Sequence, residues 1–243
     1  MKILFLILIS LFIYSCSSEY NWGWYILDPT LDQGLSNLYF LISGFWLTIS
    51  ISLTSILISL ILGFLVAILG FSKNKFLRII NRVYIEFFRA IPLLVLLLWI
   101  YYGLPVVFGL TIGAFAAGVI SLSVSDSAFE AEIFRAGIQS ISIGQRDAAK
   151  SIGLNKSQEM SLIIFPQAVR VILPAIGNQF VYVLKMSSLV SIIGLADLTR
   201  KANELVVTVY RPLEIYSFLV LEYLLLIIII SYLIRRLESK LKI

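Results

Sequence analysis

Residues 38–72 read LYFLISGFWLTISISLTSILISLILGFLVAILGFS, with no charged side chain anywhere in the run. A helix needs roughly 20 apolar residues to cross a hydrocarbon core about 30 Å thick, so this stretch reads as a membrane span. Working outward, Ala90–Ser125 is also uncharged, Ser161–Leu184 holds only Arg170, and Ile215–Ile234 holds only Glu222. The second of these is long enough to cross twice, and Gly103, Pro105 and Gly109 near its middle predict the reversal. The expectation is an all-α membrane protein with five spans at about 40–70, 86–104, 111–130, 161–185 and 213–234. Composition agrees: 60% of the 243 residues are hydrophobic and only 14% are charged, against about 25% in soluble domains.

The positive charges cluster between spans. Lys73, Lys75, Arg78 and Arg82 follow the first span; Arg135, Arg146, Lys150 and Lys156 follow the third; Arg235, Arg236, Lys240 and Lys242 follow the fifth. By the positive-inside rule these segments, including a basic tail at 235–243, face the cytoplasm of a multi-pass membrane protein. Residues 18–37, with Glu19, Asp28 and Asp32 and no base, form a short external segment. Before it, residues 1–17 are signal-like: Met1-Lys2 precedes apolar Ile3–Tyr14. Ile13–Cys16 resembles a lipoprotein cleavage box, but Tyr14 suits it poorly, so ordinary processing or retention is favoured over lipidation of Cys16.

The net charge of +5 is explained by these clusters and does not point to nucleic acid. Histidine is absent, which excludes the Ser-His-Asp triad and the zinc-protease helix; the lone Cys16 excludes an internal disulfide or a thiolate cage. No Gly-Lys pair occurs, so the chain has no phosphate loop of its own, and neither a cofactor nor a metal site is expected in it.

The segment 132–167 is far longer than a helix-to-helix connection requires. Gln145–Ile152 reads as a helix, Gly153 as its stop, and Asn155 or Ser157 as the cap of a second helix. Together they make an elbow suited to docking in another protein's groove. Ala148 and Ala149 are small enough for close approach by a partner, and Asp147 can pair with Arg146, Lys150 or a partner's base.

Gly144–Leu154, followed by Ile163–Ala168, resembles the EAA loop of ABC importer membrane subunits. Tyr84–Arg89 running into Pro92, Tyr101–Pro105, Ala131–Ile138, Leu173-Pro174, Gly177–Phe180, Lys185 and Ser188–Gly194 are similar to the polar amino acid uptake branch. The resemblance covers roughly residues 40–234. It implies a permease domain over 38–234 of the type I ABC importer kind, with 132–167 as the loop that couples to ATPases. The loop residues it singles out are Gly144, Gln145, Asp147, Ala148, Ala149, Gly153, Leu154 and Pro166. It further implies structural or gating roles for Arg89, Pro92, Glu132, Arg135 and Pro174. Asp147 departs from the Glu that names the motif, Ala90-Ile91 from Gly-Thr, and Met186 from a polar residue.

The partners implied are separate ATPase subunits carrying ATP and magnesium, a second permease subunit (identical or homologous), an extracytoplasmic solute-binding protein and membrane lipid. The subunit itself would catalyse no bond chemistry. Acids inside a membrane are costly unless paired or facing water, so Asp126 and Glu222 are candidates for the solute path, with Asn178, Lys185 and Ser188 from the matched motifs. The competing reading locks helices together by pairing Glu222 with Arg170 or Lys185 and Glu130 with Arg135. Because acids outnumber bases there, the expected solute is a polar or basic amino acid. A carrier driven by an ion gradient, using Asp126, Glu130 and Glu222, is the alternative.

Overall fold

The computed structural model describes residues 20–240, which are helical throughout with no strand among them. The signal-like segment and Cys16 lie outside the described residues, as do the last three residues of the tail. A short 3-10 turn, Trp24–Leu27, leads into α1 (Asp32–Ile42) and α2 (Phe45–Gly70). Then come α3 (Lys75–Ala90), α4 (Leu93–Leu98), a π-helical turn at Trp99–Gly103, and α5 (Leu104–Phe108). The long α6 (Ala114–Gln139) precedes the elbow helices α7 (Ile143–Ser151) and α8 (Lys156–Gln158). A second π turn, Glu159–Ile164, opens α9 (Phe165–Met186), and a 3-10 segment leads to α10 (Leu198–Val209) and α11 (Pro212–Lys240).

The core is α2 against α6, the most extensive helix contact in the fold. Its chemistry is that of helices in lipid, where close approach matters more than greasy bulk. On α2, Thr48, Ser52, Ser55, Ser59 and Gly63 form one buried stripe of small residues. On α6, Ala117, Gly118, Ser121, Ala128 and Ala131 do the same. Most of the hydroxyls find carbonyls: Ser52 donates to the Thr48 carbonyl at 2.7 Å and Ser123 crosses to the Ser55 carbonyl at 3.1 Å, whereas Ser55 Oγ has no partner among the described residues. Gly63 is obligatory, because a Cβ there would stand 2.5 Å from the Cβ of Glu130 and 2.9 Å from the Ser127 carbonyl oxygen.

Among the described residues three stretches are long and apolar enough to cross a membrane, Asp32–Gly70, Lys156–Ile193 and Pro212–Lys240; α6, expected as the third span, is not one of them. The expected second span is different. Lys75–Ala90 and Leu93–Phe108 reach the same standard only together, and they bend by 99° between them. Ile91 is extended (ψ 126°) and Pro92 caps α4, since a residue before proline avoids the helical region and proline has no N–H to continue the ladder. The span read at 86–104 is therefore two helices meeting at a corner. The reversal after it comes at left-handed Gly109 (φ 65°), not at Gly103 or Pro105, which lie within continuing helix.

Other boundaries shift by addition of polar turns. The first helix begins at Asp32, inside the expected external segment. The third extends past residue 130 to Gln139, and the fifth continues to Lys240 through most of the expected tail. α6 encloses Asp126 and Glu130 among its thirteen buried residues of 26, while Glu132 and the exposed Arg135 lie at its far end. By contrast α11 buries only Glu214, Ile215 and Leu226, and shows Val220, Leu221, Leu224, Leu225, Ile228 and Ile229 on its outer surface.

Candidate functional site: the elbow, the polar core and the gate

The elbow is built by local sequence rules. α7 ends in a Schellman motif: the Leu154 N–H donates to the Ala149 carbonyl (3.1 Å) and the Gly153 N–H to the Lys150 carbonyl (2.9 Å). Gly153 supplies the left-handed backbone (φ 78°) that the motif needs. Asn155, rather than Ser157, then caps α8 in a capping box, its Oδ1 accepting from the Gln158 N–H and its own N–H donating to Gln158 Oε1, both at 3.0 Å. Gln167 Nε2 donates to Gln145 Oε1 at 3.2 Å and ties α9 back to α7.

Arg146 does not pair with Asp147. It reaches the buried Glu159 at 3.9 Å and donates to the Ile138 carbonyl at 3.3 Å, while Asp147 pairs with Lys150 at 3.3 Å on the exposed side. Glu159 is an elbow residue that sequence reasoning missed, because only the fold brings it to α7. The elbow spans Ser140–Ile164, since Glu132 lies within α6 and Gln167 within α9. Gly144, Gln145, Asp147, Ala148, Gly153 and Pro166 are exposed, and Leu154 is half-buried. Ala149 is 2% exposed, so its small side chain serves packing inside the elbow and not approach by a partner. The elbow also displays Ile143 at the start of α7 and Ile152 just after its end, 74% and 72% exposed, with Ile152 one turn beyond Ala148 on the same side.

The expected path residues do not converge. Asp126 is buried and clamps three helices, accepting from Ser59 Oγ of α2 at 2.6 Å and from Gln179 Nε2 of α9 at 2.5 Å. Asn178 and Lys185 lie on the opposite, exposed side of α9, with the exposed ring of Tyr182 between them, and Ser188 Oγ donates to the Lys185 carbonyl at 2.8 Å. Glu222 and Glu130 form none of the ion pairs expected of them, and neither carboxylate has a hydrogen-bond partner among the described residues. Arg135 is taken instead by Glu132, one turn before it on the same helix.

Four of the five gate residues, Arg89, Pro92, Glu132 and Arg135, lie near the corner between α3 and α4, and Pro174 does not. The Arg89 guanidinium lies 5.1 Å from the centre of the Phe129 ring on α6. Arg89, Glu86, Arg82, Glu132 and Arg135 line one polar cleft of about 340 Å³ between α3 and α6. Pro92 makes the corner, and Pro174 lies inside α9. Pro166 falls in the first turn after the π turn, where a missing N–H costs little.

Comparison with known proteins matches residues 59–243 to the family described as binding-protein-dependent transport system inner membrane component. A probable glutamine ABC transporter permease protein of Bacillus subtilis, GlnM, is 39% identical over 82% of this chain and 92% of its own. The glutamine transport system permease protein GlnP of Escherichia coli K12 is 36% identical over 84% and 93%. Among solved structures, an amino acid ABC transporter crystallised with histidines superposes with a TM-score of 0.81 at 39% identity, covering 85% of this chain and 96% of that one. The MetNI methionine ABC transporter, in inward-facing form, shares the fold with a TM-score of 0.73 at 19% identity. The elbow, the enclosed polar α6 and these relatives agree: the chain belongs to the binding-protein-dependent transport system inner membrane components, as a permease subunit of an ABC importer and not an enzyme.

Proposed function

We propose that this chain forms the translocation path for a polar amino acid, with glutamine the first candidate, in an importer whose ATPase subunits bind ATP and magnesium beneath the elbow. The observation that carries the coupling role is the exposed pair Ala148 and Ile152, one turn apart on the same side of a helix ended by a Schellman motif. Closure of the ATPases around that surface would move α7, and Gln145 to Gln167 and Arg146 to Glu159 would pass the movement to α9. This reading puts the elbow and the C-terminus in the cytoplasm and residues 20–31 outside, with α1–α2, α4–α5 entered from α3 through the bend, α6, α8–α9 and α11 as the five spans.

The solute class rests on two supports. Relatives sharing more than a third of their residues are named for glutamine transport. The interior also holds Glu130 and Glu222 without a partner among the described residues, which favours a solute bearing an ammonium over an acidic one. The face of Asn178, Tyr182 and Lys185 on α9 suits a water-lined path or a second permease subunit better than lipid, because an exposed lysine and amide within a span need polar company. An extracytoplasmic binding protein would deliver the solute. Pull-down in mild detergent, followed by ATPase stimulation with glutamine, arginine, histidine and glutamate, tests the reading. Co-purified ATPases stimulated by glutamine are expected; stimulation by glutamate alone would overturn the solute assignment.

A further inference from the structure

The cleft beside the gate continues onto a face of α3 that nothing so far employs. Asn74 caps this helix, its Oδ1 accepting from the Phe76 N–H at 2.9 Å, only four residues after the apolar α2 ends at Gly70. α3 therefore starts at the membrane boundary, and its axis turns 99° from the apolar helix that follows. A helix so placed should lie against the interface, and its three faces fit that position. Asn81 and Ile85 are buried, Asn81 Nδ2 donating to the Val66 carbonyl at 2.7 Å. Phe76, Ile80, Val83 and Phe87 form an exposed apolar row, from 39% to 66% bare. Between these two, Lys75, Arg78 and Arg82, with Ile79, surround a surface recess of about 240 Å³ that holds no acidic side chain.

None of these three cations forms an ion pair with a described carboxylate. Arg78 and Arg82 also line the adjoining cleft with Glu86 and Glu132, but neither acid forms an ion pair with them, and Glu132 is engaged by Arg135. Three unpaired bases converging on one recess repel each other unless an anion joins them. An apolar row along the same helix is left bare unless hydrocarbon covers it. One molecule satisfies both.

We propose that Lys75, Arg78 and Arg82 hold the headgroup of an anionic phospholipid whose acyl chains lie along Phe76, Ile80, Val83 and Phe87. The phosphate accepts from the two guanidiniums, which suit its geometry, and the Lys75 ammonium adds a point charge. A protein partner is disfavoured by the same arrangement, since it would have to present acids to the recess and apolar residues to the row in one strip. Because Asn81, Ile85 and Tyr84 on the inner side of α3 pack on α2 and α6, the bound lipid also steadies the corner at Pro92. The site stands whatever solute is carried and requires only that α3 lie at an interface.

The test is titration of the purified transporter, permease with its ATPases, in mild detergent, with lipid adducts read by native mass spectrometry. Wild type should bind phosphatidylglycerol well above phosphatidylcholine of the same chain length. Arg78→Gln with Arg82→Gln should weaken the first phosphatidylglycerol adduct by about 25-fold, taking about fivefold for each cation at an anionic surface. Arg78→Lys with Arg82→Lys should keep most of that affinity, which separates charge from folding. Equal binding of the two lipids by wild type needs no variant and overturns the proposal. So does unchanged affinity in the double Gln variant, or displacement of the lipid by an equal concentration of glycerophosphoglycerol or inorganic phosphate, which would mark the recess as a site for a soluble anion.

Discussion

Replacement of Gly153 isolates backbone strain from every other effect. A Cβ built there meets no atom within 4 Å, so added bulk clashes with nothing. What remains is the left-handed backbone at φ 78°, which costs an ordinary L-residue roughly 1–2 kcal/mol and a β-branched one more. That cost falls on the Schellman hydrogen bonds of Leu154 to Ala149 and Gly153 to Lys150, which hold α7 at its angle to α8. About 2 kcal/mol against Gly153→Val shifts the closed-to-frayed balance of the elbow by roughly 30-fold. The core of α2 and α6 is untouched, so insertion and abundance should stay normal. The assay is solute-stimulated ATPase activity against solute uptake in proteoliposomes for Gly, Asn, Ala and Val at this position. Uptake per ATP should fall in that order, with Asn closest to wild type because it tolerates the left-handed region. Wild-type coupling in Gly153→Val, or Ala worse than Val, would show that the turn's geometry does not transmit the stroke.

Three other perturbations probe separate parts. Asp126→Leu strands the Gln179 donor, while Ser59 keeps the Ile56 carbonyl at 3.0 Å, and should destabilise the protein by about 1–3 kcal/mol, with Asp126→Asn milder; thermal unfolding in detergent reads the order. Glu214→Ala removes the carboxylate that accepts from the Tyr20 hydroxyl and the Gly23 N–H, both at 2.5 Å, so limited proteolysis should newly cut between residues 20 and 31 while α11 stays intact. Pro174→Ala restores a backbone donor within α9 and should change uptake more than membrane abundance, whereas equal losses of both would mark a purely structural proline.

The elbow was legible before the fold because its instructions are short-range. Gly153 ends a helix and Asn155 starts one through contacts within six residues, so their roles follow from order along the chain. The apolar runs were equally plain, because lipid imposes a length and a composition on each span regardless of its neighbours. Pro92 shows a local signal present but outweighed: the uncharged run from Ala90 concealed a corner that the proline's missing N–H and the extended residue before it require. The buried acids were visible only as expensive positions. Asp126 found Ser59 and Gln179, 67 and 53 residues away, and Arg146 found Glu159 instead of its neighbour Asp147. Which donor meets a buried carboxylate depends on how three helices rotate about their axes, and that rotation is set by the stripe of serines and glycines packing α2 on α6. The sequence by itself thus determined the apolar runs and the helix-turn-helix of the elbow; only the tertiary structure decided the corner and the pairings, because partners distant along the chain are chosen by packing geometry.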